Sequence, residues 1–143
     1  MRRPLGAFLL AVLLACACGA EPDRPRCAHC GMRVDPASPF RTGATDAQGA
    51  ERSFDSPKCL LRWLHGEGRG AREPWAIGYY TGGRRPAAEL FWVEGGDVRG
   101  PMGRDLVPVE DGPRAERFAG DHGGRVLAWD AIDAATIDRL FAP

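Results

Sequence analysis

The apolar residues of this chain fall into three kinds of pattern. Residues 5–15 form one unbroken apolar run behind Arg2-Arg3. That run is shorter than the ~20 apolar residues a spanning helix needs, and a positive segment followed by a short apolar one is the layout of an export signal. A helical pattern begins at Ser56, where Ser56 suits an N-cap and Pro57 the first helical position. Leu60, Leu61 and Leu64 then share one face, and Gly66 ends the run. Asp111-Gly112-Pro113 opens a second helix, with Ala115, Phe118, Ala119 and His122 at helical spacing until Gly123-Gly124. A last helix is expected over residues 133–141. Short apolar runs predict strands at residues 76–81, 90–93, 106–109 and 125–129. The third of these belongs at a sheet edge, because Pro108 cannot donate to a ladder. Residues 39–49, rich in Gly, Thr, Asp and Ala, read as a loop.

Each half of the chain thus reads strand, strand, helix, strand. Asp55-Ser56-Pro57-Lys58-Cys59 and Asp111-Gly112-Pro113-Arg114-Ala115 match at an Asp, a Pro and a basic residue, which points to an internal duplication. The expected fold is α+β, with two similar small ββαβ units in tandem after a lipoprotein signal peptide and a tether. The expected division is residues 1–15 as the signal peptide, 16–26 as a polar tether containing Pro22 and Pro25, and 27–143 as the folded part. Within the folded part, residues 27–83 carry the cysteines. Residues 84–143 have Ala115 where the first half has Cys59.

Composition narrows the function classes. The chain has 143 residues, 44% of them hydrophobic and 27% charged, a globular balance for one domain or two small ones. Its 19 basic and 19 acidic side chains give no electrostatic reason to expect nucleic acid. Leu13-Leu14-Ala15-Cys16 resembles a bacterial lipobox, with Cys16 the acylated residue; Cys18 is a poorer match because it lacks Leu three residues upstream. Acylation would leave the domain in water beside a bilayer of the bacterial envelope, facing the periplasm or the cell exterior. Removal of residues 1–15 leaves 17 basic and 19 acidic side chains, a net −2. Three cysteines remain beyond the processing site, Cys27, Cys30 and Cys59, and an odd number cannot all pair within one chain. Unpaired thiols outside the cytoplasm are commonly there for chemistry, metal included.

Cys27-Ala28-His29-Cys30-Gly31-Met32 is the most informative stretch. Two cysteines separated by two residues can place both sulfurs on one ion, and soft thiolate and thioether donors favour Cu(I) or Zn(II) over Mg, Ca or Mn. Gly31 and the β-branched Val34 suggest that Cys30 leads into a strand, which would set Met32 on the same face as Cys30. Cys59 falls near the third position of its helix, where the helix dipole stabilises a thiolate; a buried small hydrophobe is the alternative there. Met102, between Pro101 and Gly103, sits in a turn, where it either offers a thioether or plugs the edge of the core. His29 is a possible fourth ligand. His65 and His122 end helices and read as exposed polar groups, and the tryptophans Trp63, Trp75, Trp92 and Trp129 read as core. Three other readings of the cysteines compete: a redox dithiol in an envelope thiol–disulfide oxidoreductase, a closed zinc site completed by His29 or His65, and a Cys27–Cys30 disulfide.

The ordered set of motifs resembles the NosL family, the accessory lipoproteins of nitrous-oxide reductase maturation. The matching pieces are the lipobox at Cys16, Cys27-Ala28-His29-Cys30-Gly31-Met32-Arg33-Val34, Ser53-Phe54-Asp55-Ser56, Gly100-Pro101-Met102-Gly103 and Gly123-Gly124-Arg125-Val126-Leu127. The first half is also similar to treble-cysteine metallochaperone modules. The resemblance implies Cu(I) binding without catalytic turnover, two ββαβ units, and copper delivery to a copper-accepting enzyme of denitrification or its maturation factors. Carried over residue by residue, it points to Cys27, Cys30, Met32 and Met102 as ligands, with Cys59 as a further one.

Overall fold

The computed structural model describes residues 23–143. The expected signal peptide, the expected acylation residue Cys16 and most of the expected tether lie outside the described residues.

Two antiparallel sheets are built the same way. In the first, β1 (Thr42–Thr45) pairs with β2 (Glu51–Phe54), helix α1 (Pro57–His65) follows, and β3 (Arg72–Ile77) returns on the other side of β1. In the second, β5 (Phe91–Glu94) pairs with β6 (Leu106–Val109), helix α2 (Gly112–His122) follows, and β7 (Arg125–Leu127) returns on the other side of β5. The strand orders are β2-β1-β3-β4 and β6-β5-β7. The extra strand β4 (Arg84–Pro86) pairs with β3, so the first sheet continues past residue 83. Helix α3 (Ala134–Phe141), capped by the Asp133 carboxylate on the Thr136 N–H, closes the chain against α1. The α+β class and its tandem ββαβ grammar are therefore as the sequence indicates, and β6 lies at a sheet edge with Pro108 opposite Trp92.

The units are fused through a common core. Leu61 and Ala76 from the first pack with Leu90, Trp92 and Leu106 from the second, and with Ile132, Ile137 and Leu140 of the closing segment. A second cluster of Val34, Ala44, Phe54, Leu60 and Trp63 fills the space under α1 and includes Cys27 and Cys59. The third, under α2, gathers Val93, Val107, Val109, Ala115 and Phe118, and takes Phe40 from the first half. Each cluster removes several large side chains from water, at about 1.5–3 kcal/mol per fully buried aliphatic or Phe side chain.

Several local expectations are corrected. The stretch expected to be a loop at residues 39–49 contains β1, an inner strand of its sheet. Its composition is loop-like because Gly43 must carry no side chain: a Cβ there would lie 2.5 Å from the Trp75 ring. Trp75 is buried yet belongs to no core cluster; it lies against Gly43, with the guanidinium of Arg84 4.1 Å and that of Arg41 6.0 Å from the ring centroid. The strand expected over 76–81 is displaced toward the N-terminus, and Gly78 to Thr81 instead form a turn whose N–H groups at Tyr80 and Thr81 bond the Glu110 carboxylate. The last expected strand stops at Leu127, and Trp129–Ala131 is a single 3₁₀ turn. The two helices also begin one residue out of step. Ser56 and Asp111 are the caps, so Pro57 is the first residue of α1 whereas Pro113 is the second of α2. Counted from the caps, Leu60 corresponds to Ala115, and Cys59 corresponds to Arg114.

Candidate metal centre

The Cys27-x-x-Cys30 segment is a tight turn, not the start of a strand. The Cys27 N–H donates to the Met32 carbonyl (2.7 Å) and the Gly31 N–H to the Cys27 carbonyl (2.9 Å). Gly31, at φ 76°, takes the left-handed conformation that closes the loop, and Arg26 pairs with Arg33 across its base. The Ala28 N–H donates to the Ser53 carbonyl (2.9 Å), which pins the turn to β2. Both thiols are thereby brought to the N-terminus of α1, where Cys59 is the third helical residue.

Ligand atoms of Cys27, Cys30, Asp55 and Cys59 all lie within 4.8 Å of one another. A tetrahedral ion with Zn–S bonds of about 2.3 Å needs sulfurs roughly 3.8 Å apart, so the group is of a size to enclose one ion. From the other unit, the Met102 thioether reaches the same place, with its Sδ 3.8 Å from the Cys59 Sγ. The structure thus gathers four of the five sulfurs expected at the site. Met32 stands apart, 45% exposed, in a cleft of about 200 Å3 that it shares with Asp55 and Pro101. His29 points to the edge of Phe141 with ring centroids 5.9 Å apart, and His65 is exposed at the far end of α1.

Asp55 is the member that the residue pattern did not single out. It is 3% exposed; its Oδ1 accepts from the Cys30 thiol at 3.5 Å, and its Oδ2 is buried with no hydrogen-bond partner. A buried carboxylate oxygen without a partner beside three thiols calls for an occupant, an ion or an ordered water. Its signal in the sequence was its place directly before the helix cap, four residues ahead of Cys59.

The proton distribution also differs from the expected one. The helix start was expected to hold a thiolate on Cys59. Instead the neighbouring Cys27 sulfur, together with burial, pushes the Cys59 pKa up. The nearby Cys59 thiol lowers Cys27 to about 6, with the backbone N–H groups of Cys30 and Asp55 assisting. Burial pushes Cys30 up to about 11. Of the three thiols, Cys27 is the one whose surroundings favour the thiolate, while those of Cys30 and Cys59 favour the protonated form. All three are free thiols, and Cys27 and Cys59 are 3% and 0% exposed. Cys30, the third, is only partly buried.

The second unit closes the site from above. Pro101-Met102-Gly103 is the tip of a narrow turn held by reciprocal bonds between Gly100 and Gly103 (2.8 and 3.1 Å). Asp105, further along, reaches across to α1, and its Oδ1 accepts from the Lys58 N–H at 2.9 Å. The Ser56 hydroxyl makes no cap bond, so this carboxyl from the other unit serves as the cap. Burial raises Asp105 to about 6.

Comparison with known proteins agrees with this architecture. The NosL family model matches residues 22–137. A copper-binding lipoprotein NosL from Stutzerimonas stutzeri is 29% identical over 157 aligned positions, covering 90% of this chain and 80% of that protein. The crystal structure of the copper chaperone NosL from Shewanella denitrificans superposes with a TM-score of 0.71 at 20% identity, over 77% of this chain and 90% of that one, a likeness of fold. With the family model spanning nearly all of the described residues, the chain belongs to the NosL family.

Proposed function

We propose that this protein is a lipid-anchored Cu(I) chaperone of the bacterial envelope that hands its ion to nitrous-oxide reductase, without catalytic turnover of its own. The observation that carries the reading is the convergence of three free thiols from one unit with a thioether from the other. Soft sulfur donors of this kind suit a soft monovalent ion. Cys27 and Cys30 are the principal ligands, Cys59 and Met102 complete the inner site, and Met32, exposed in the adjoining cleft, is the outer thioether that an ion meets on its way in or out. Thioethers carry no charge, so they hold copper while thiolates change partners, and transfer proceeds as ligand exchange toward the client. That its relatives are a copper-binding lipoprotein and a copper chaperone supports the cargo, and the lipobox at Cys16 supports the anchor.

The test of delivery is a transfer assay. Anaerobic, copper-loaded protein is mixed with nitrous-oxide reductase lacking copper at its catalytic cluster, and enzyme activity is followed. Recovery that depends on Cys27 and Cys30 is expected; recovery equal to that from free Cu(I) at the same concentration contradicts delivery. Mass spectrometry of the mature N-terminus tests the anchor, with a diacylglyceryl Cys16 expected and an unlipidated start at Cys18 or later contradicting it.

A further inference from the structure

Lys58 is the only lysine in the chain, and it is 4% exposed. A lysine this buried needs a reason, because its ammonium gives up water for whatever the protein supplies. Its Nζ donates to the Met102 carbonyl at 2.7 Å, lies 3.5 Å from the Leu140 carbonyl at the end of α3, and stands 5.2 Å from the Phe141 ring centroid. The first of these is the short, charge-assisted one. Lys58 also directly precedes Cys59, whose Sγ meets the Met102 Sδ. One turn of α1 therefore holds both ends of a single residue in the other unit: Lys58 takes its main-chain oxygen and Cys59 meets its sulfur.

We propose that Lys58 is a positioning residue that fixes the Met102 turn so that its thioether faces the cysteine site. The tip needs such a hold. Met102 is 38% exposed, its turn is closed only by the Gly100–Gly103 pair, and Gly103 at φ 89° adds backbone freedom. Released from Lys58, the tip samples orientations in which the thioether points to solvent. The consequence for copper rests on the chaperone reading given above; the consequence for the geometry does not.

The test uses Lys58→Gln, which removes the charge and shortens the reach, in protein carrying ¹³C-methyl methionine. In the metal-free wild type, an NOE between the Met102 methyl and the Cys59 β-protons is expected, and Lys58→Gln loses it while the remaining spectrum stays folded. Cu(I) affinity falls about tenfold or more, the scale set by loss of a hydrogen bond to a charged group. In a Met102→Leu background, Lys58→Gln produces no further loss. A folded Lys58→Gln protein that keeps the NOE overturns the proposal and leaves Lys58 a purely structural tie. An equal additional loss of affinity in the Met102→Leu background overturns it too, because Lys58 would then act on the site by another route. If the wild type binds no Cu(I), the chaperone reading fails while the NOE still decides this one.

Discussion

Gly43 and Met102 show what a single residue is asked to do here. Gly43 is in an inner strand of its sheet and leaves room for the Trp75 indole. Gly43→Ala forces the ring and its Arg84 and Arg41 neighbours to shift. Chemical denaturation is expected to show a loss of about 1–3 kcal/mol, the usual range for overpacking, and an unchanged midpoint would mean that the indole moves freely. Met102 carries the opposite kind of demand under the proposed function, where its sulfur matters more than its volume. Met102→Leu keeps size and apolarity, so folding changes by less than about 1.5 kcal/mol. Cu(I) affinity is expected to weaken by on the order of tenfold, the scale of losing one support at a metal site. Zn(II), which favours thiolate and imidazole, is less affected. Wild-type Cu(I) affinity in that variant would make Met102 a packing residue.

At the scale of elements, the start of α1 is the hub: it carries Cys59 and Lys58, and it is capped from the other unit by Asp105. That cap has a pH signature. The Asp105 carboxyl is raised from 3.8 to about 6 by burial, so the native state binds its proton more tightly than the unfolded chain does. Its contribution is complete below about pH 4 and is lost as pH rises through 6. Comparing wild type with Asp105→Asn isolates this group from Glu94, Asp46 and Asp133, whose lowered values give slopes of the opposite sign. Between pH 4 and 6.5 the wild type is expected to lose up to about 3 kcal/mol relative to the variant. A constant difference across that window would mean that Asp105 is ionised in both states. The helices were legible in the sequence because caps, prolines and terminal glycines mark their ends within a few residues. β1 was not, since its small residues answer to a tryptophan thirty-two positions away. The Cys27-x-x-Cys30 turn was misread as a strand entry because its shape is set by bonds to Met32 and Ser53, and no local propensity records those. The sulfurs that converge, those of Cys27, Cys30, Cys59 and Met102, stand among the five expected from residue type and family resemblance. Asp55 was not expected, because a carboxylate before a helix cap is ordinarily a solvated one.

For the whole molecule, the proposed copper site lies at the seam between two copies of one motif. The first copy supplies three thiols and the second brings the Met102 thioether to them, so under the proposed function copper affinity depends on how the units sit together. Because Cys27 and Cys59 are buried, turnover of protein disulfides is expected to be negligible in a reductase assay, and robust activity dependent on Cys27 or Cys30 would support the oxidoreductase reading instead. The most direct test of the central claim is an anaerobic competition titration of the reduced protein with a Cu(I) chelator. The expected result is roughly one tightly bound Cu(I) per chain, lost when Cys27 and Cys30 are both replaced by serine. Absence of Cu(I) binding in the wild type, or undiminished affinity in that double variant, would contradict it.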